Sequence, residues 1–145
     1  MQRETENLVK HVVTAVLKNV DTGHVKTRWN ACHALAHMLR SPHFPMGAAS
    51  YTPHILKSLK TAIVSCKNFK VRIAAAGALA EVQSLNRLAS NVVEQKRIAA
   101  ELIETVSLAL TKTDDLVGSQ FGEFKYQDQL KDQLQTTLTT LTSLS

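Results

Sequence analysis

The stretch KTRWNACHALAHML at residues 26–39 returns as KVRIAAAGALAEVQ at residues 70–83, an offset of 44 positions. Six of the fourteen aligned positions are identical: Lys26 with Lys70, Arg28 with Arg72, Ala31 with Ala75, Ala34 with Ala78, Leu35 with Leu79 and Ala36 with Ala80. A chain that repeats a helix-length segment is constrained to fold by stacking like units, because one such unit cannot bury its apolar face alone.

The repeat extends upstream. LVKHVVTAVLKN at 8–19 superimposes on ILKSLKTAIVSC at 55–66 with an offset of 47, and a second shift of 47 reaches LIETVSLALT at 102–111. The two offsets differ by three residues, which one connection absorbs: nine residues separate Leu17 from Thr27, and six separate Val64 from Val71. Loops accept such insertions at small entropic cost. The first segments carry Leu8, Val9, Val12 and Val16, and Ile55, Leu56, Leu59 and Ile63, at spacings of three and four that place them on one helix face. Ala74, Ala75, Ala76, Gly77 and Ala78 form a wall of small residues that lets a neighbouring helix approach closely. SPHFPMGAAS at 41–50 breaks the helical pattern, and Tyr51-Thr52-Pro53 restarts it with a Thr cap and Pro at the first helical position. The expected fold is all-α, an α-α superhelix of about three antiparallel helix pairs in one domain over residues 1–145. Its repeats cover about 4–40, 51–84 and 88–144. In the third, Tyr126, Leu130, Leu134, Leu138 and Leu141 make one narrow stripe on an otherwise polar helix, the pattern of a terminal cap. The N-terminus shows no comparable cap. The chain is therefore expected to be a segment of a longer array, with self-association through the first helix as a consequence.

Composition agrees with helices: five Gly and three Pro stand against a hydrophobic share of 44%. No apolar run approaches the roughly 18 to 20 residues of a membrane helix, and the N-terminus lacks the apolar core of a signal peptide. Cys32 and Cys66 fit no pairing pattern, so the expectation is a reduced, intracellular chain with both cysteines in packing roles. Charge is uneven. Residues 1–72 hold eleven Lys and Arg against three acids, a local +8, and residues 73–145 hold six against nine, a local −3. The basic half can steer an acidic partner.

A helix-turn-helix unit at this period resembles the HEAT and armadillo repeats. VRIAAAGALAEV at 71–82 is similar to the second helix of a HEAT repeat, and TRWNACHALAHM at 27–38 keeps its Arg and Ala-Leu core. DTGHVKTRWNACHAL, SCKNFKVRIAAAGAL and EFKY together look like the C-terminal part of a large intracellular member of that family. The resemblance implies a ladder of turn acids and second-helix arginines running from repeat to repeat. Asp21 and Asp115 fall at equivalent turns, Asn68 replaces the acid of the middle turn, and Arg28 and Arg72 fill the arginine places.

Lys26, Asn30, His33, His37 and Arg40 follow one another at spacings of 4, 3, 4 and 3, which puts them along one side of a helix. If second helices line the inner curve of the stack, as the resemblance implies, this ridge and Lys70 face a shallow groove. A solvated helix face explains the same pattern. Cys32, His33, His37 and His43 do not form a zinc set, since Cys32 points about 100 degrees away from His33 and no fourth ligand stands at a standard spacing. No phosphate loop, nucleophile elbow or metalloprotease helix is present, so neither a catalytic residue, a cofactor nor a small-molecule substrate is expected. Trp29 aligns with Ile73 and reads as packing between repeats. Met38, Leu39, Phe44, Pro45 and Met46 read as core beneath the long loop. The resulting expectation is a non-catalytic scaffold that binds a protein or acidic peptide, with nucleic-acid binding through the same basic face as the alternative. Only seven aromatics stand in the chain, few for a reader of single strands.

Overall fold

The computed structural model describes residues 2–114 and 124–145. Among them are six α-helices: α1 (Gln2–Thr22), α2 (Val25–Arg40), α3 (Thr52–Ser65), α4 (Phe69–Leu79), α5 (Val92–Asp114) and α6 (Phe124–Thr142). A short 3-10 turn occupies Leu85–Arg87, and the described residues contain no strand. None of these helices is long and apolar enough to cross a membrane.

Successive helices pack on each other as pairs, α1 with α2, α3 with α4 and α5 with α6. The pairs stack, so that α2, α4 and α6 form one row and α1, α3 and α5 the other. Local chemistry sets the turns. Gly23 donates its amide to the Asn19 carbonyl at 3.1 Å, and a Cβ at this position would lie 2.6 Å from that oxygen. Only glycine allows so short a return. Asn68 caps α4 by accepting from the Val71 amide at 3.2 Å, and Asn91 caps α5 by accepting from the Glu94 amide at 2.8 Å. The start of α3 differs from the sequence expectation by one residue. Tyr51 holds the cap position and Thr52 is already helical; the Thr52 hydroxyl is buried and turned to the Met46 sulfur at 3.8 Å.

The core runs through the middle pair. Ile55, Leu59, Ile63, Ala75, Ala76, Ala78 and Leu79 are all but inaccessible. The alanine wall of α4 meets α2, α3 and α6 together, and Thr137 of α6 donates to the Ala76 carbonyl at 2.8 Å across it. The first helix departs from the expected stripe. Its buried face is Val13, Leu17 and Val20, whereas Leu8 is 65% exposed and Val12 47%. The apolar positions of α1 form a band wider than α2 and α3 together cover: of the residues chosen from sequence, Val9 and Val16 pack against the core, and Leu8 and Val12 lie on its open shoulder.

Polar links join one pair to the next. Asp21 meets His54 at 3.1 Å, Arg40 meets Glu81 at 3.1 Å, and Lys60 meets Glu101, which Arg97 also contacts. The most buried charged link is Arg87, whose guanidinium donates to the carbonyls of Leu39, Ser41, Phe44 and Val82.

Candidate functional site

The row formed by α2, α4 and α6 presents the ridge. Lys26, Asn30, His33, His37 and Arg40 are all exposed along α2, and Lys70 is exposed at the start of α4. They do not act as one group. Arg40 is committed to Glu81 through Nε at 3.2 Å and Nη2 at 3.1 Å, which removes much of its charge from the surface. His33 is in T-shaped contact with Trp29, ring centres 4.3 Å apart.

Lys26 and Lys70 do converge. They line a cleft of about 530 Å³ together with Val25, Trp29, Ile73, Tyr126 and Gln129. The equivalence of these two lysines in the repeat brings them to the same end of adjacent helices, and α6 closes the third side with Tyr126. The Lys70 ammonium stands over the Tyr126 ring, 5.2 Å from its centre. Trp29 packs between α2 and α4 only in part, being 39% exposed. Val25, one turn earlier, is 48% exposed. The cleft is thus apolar at its floor, basic at its rim, and lined by no acid.

The residues assigned to a ladder occupy other places. Arg28 donates from Nε to the Val20 carbonyl at 2.7 Å, and Arg72 donates to the carbonyls of Cys66 and, at 3.4 Å, Val64. Each arginine therefore satisfies the last carbonyls of the preceding helix in its own pair. Asn68 serves as a cap, and Asp21 pairs with His54 rather than with an arginine. Asp115 lies outside the described residues. Burial keeps the Arg72 pKa below its ordinary value, yet the backbone oxygens around it still suit a cation.

Cys32 faces the core while His33 and His37 face solvent, so the three share no site. Among the described residues no group of three or more His, Cys, Asp or Glu side chains could hold a metal. Burial pushes the Cys32 thiol up to about 11, which leaves it protonated and unreactive at neutral pH.

The sequence reading missed Val25, Tyr126 and Gln129 as surface partners of the lysines, and it missed Arg87. A signal for Arg87 existed in SLNRLAS at 84–90, an arginine among apolar residues with no acid beside it.

The described residues form an all-α fold of packed helical pairs. No family model matches the chain, and no solved structure matches it. The chain is 29% identical over 151 aligned residues to an uncharacterized protein of Dictyostelium discoideum. The match covers 94% of this chain and 9% of that protein's length.

Proposed function

We propose that this chain is a non-catalytic, intracellular interaction module of the HEAT or armadillo type, an α-α superhelix whose α2, α4 and α6 row receives an acidic protein segment. The observation that carries this reading is the convergence of Lys26 and Lys70 on one apolar cleft that no carboxylate lines. Supporting it, the repeat equivalence of the two lysines and the ordered stacking of pairs give a surface that continues from unit to unit. Charges at such a rim act mainly on association rate and on choice of partner. The test is fluorescence anisotropy with a labelled acidic peptide at low and physiological salt. Reversing Lys26 and Lys70 to Glu should abolish binding while leaving thermal unfolding unchanged; undiminished binding by that variant refutes the reading.

Nucleic-acid binding is the second reading, and one observation favours it: the fold brings Lys70 and Tyr126 beside Lys26 and Trp29, from up to 100 positions away in the chain. The same titration with single-stranded DNA and RNA separates the two, since phosphate contacts give a steep loss of affinity with salt. The exposed Leu8 and Val12 shoulder of α1 is the proposed surface for contact with a second copy of the chain.

A further inference from the structure

We propose that the cleft between α2, α4 and α6 is an anchor site: it takes one aromatic or branched aliphatic side chain of an acidic peptide, while Lys26 and Lys70 receive carboxylates on either side of that anchor. This rests on the interaction-module reading and adds to it the chemistry of the partner's central residue.

Three features of the cleft select that occupant. Its volume of about 530 Å³ leaves room for one large side chain in a half-open cleft. Its floor is apolar and reachable: Val25 is 48% exposed, Trp29 is 39% exposed, and the two sit one helical turn apart facing half-buried Ile73. Its rim carries two ammonium groups and no acid, so an anionic flank is complemented on both sides and a cationic one is repelled.

The ring geometry favours a side chain over a nucleobase. A stacked base needs an open aromatic face. Tyr126 has the Lys70 ammonium over its ring at 5.2 Å, and Trp29 is already engaged by the His33 ring at an interplanar angle of 68°. What stays open is the apolar floor between them, which suits a Phe, Leu or Ile.

Trp29 is the sole tryptophan, so the cleft carries its own reporter. The experiment titrates the intact chain with a short acidic peptide bearing one central Phe, with its twin bearing Ala there, and with single-stranded oligonucleotides, following Trp emission and anisotropy. The Phe peptide should shift the emission to the blue and bind about tenfold or more tightly than the Ala twin, the effect of burying one aromatic side chain. Val25→Asp should erase that difference without unfolding the chain, because an acid in the first turn of α2 suits the helix dipole. Equal binding of the two peptides with Trp emission unmoved overturns the anchor and leaves the acidic groove standing. Failure of both peptides to bind overturns both readings, and tighter binding of the oligonucleotide than of the Phe peptide overturns the anchor in favour of nucleic acid.

Discussion

Arg87 Nη2 lies 3.1 Å from the carbonyl oxygen of Phe44, 43 positions earlier in the chain. The same guanidinium reaches Ser41 at 3.2 Å and the Leu39 carbonyl, so one side chain ties the end of α2 and its following loop to the 3-10 turn before α5. No carboxylate takes part. Leu39 and Ser41 offer carbonyls of the kind a helix leaves unsatisfied at its C-terminus, at the negative end of the α2 dipole, and Phe44 lies in the loop beyond.

Replacing Arg87 with Met should therefore cost about 3 kcal/mol, since it strands several buried carbonyls at once. Arg87→Lys should fall between, because an ammonium keeps the charge without the planar fork. Urea unfolding of the two variants checks the order; equal stability of Met and wild type would refute the account.

Opposite effects are expected at two positions of α4. Ala75 is fully enclosed, and Ala75→Leu should destabilise by about 1–3 kcal/mol through overpacking. At Gly77 the nearest neighbour of an added Cβ would be Gln133, at 3.7 Å, an ordinary contact. Gly77→Ala should stabilise by about 0.5–1 kcal/mol by restricting the unfolded chain. Thermal melts of the pair read both signs.

The Glu101 carboxyl is held below its ordinary value of 4.5, first by the hydrogen bond and charge of Lys60, then by Arg97. A depressed folded value means that the unfolded chain binds the proton more readily. The contribution is complete above about pH 4.5 and is lost as pH falls through the lower folded value. Because Glu101 is largely solvent-exposed, the effect is modest. Glu101→Gln should flatten the acid limb of a stability-versus-pH curve slightly and leave the neutral limb lower.

Cys32 is inaccessible and its thiol is pushed up to about 11. A thiol reagent at neutral pH should leave Cys32 unmodified in the folded chain and label it once denaturant is added. Rapid labelling under native conditions would show that α2 opens locally.

Leu8 and Val12 leave an apolar shoulder on α1. Light scattering should show concentration-dependent association of the chain, and Leu8→Lys with Val12→Lys should return it to a monomer with unchanged helix content.

The helices were legible in the sequence because their period and their turn residues report local physics. The alanine wall at 74–78 predicted close packing of α4, and SPHFPMGAAS predicted the break. The cleft was not legible. Lys26, Trp29, Lys70 and Tyr126 are spread over 100 positions, and only the stacking of three pairs places them together. Trp29 aligned with the apolar Ile73, so the repeat argued for burial, but a ring larger than its counterpart overhangs the gap and reaches solvent. The arginines show the converse limit. Arg28 and Arg72 were placed by analogy with a ladder between repeats, whereas their reach is taken up by carbonyls one turn of chain away, which are nearer than any neighbouring acid.

The wall shared by α2, α3 and α6 has a bearing on how the chain comes to be made. An eleven-residue helix such as α4 is marginal in isolation, and its last side is covered only by α6, whose Thr137 lies 61 positions beyond Ala76. During synthesis α4 must therefore wait, one flank bare, until α6 has left the ribosome. A helix made later thus completes a core laid down before it, and losing α6 would loosen the alanine wall of α4.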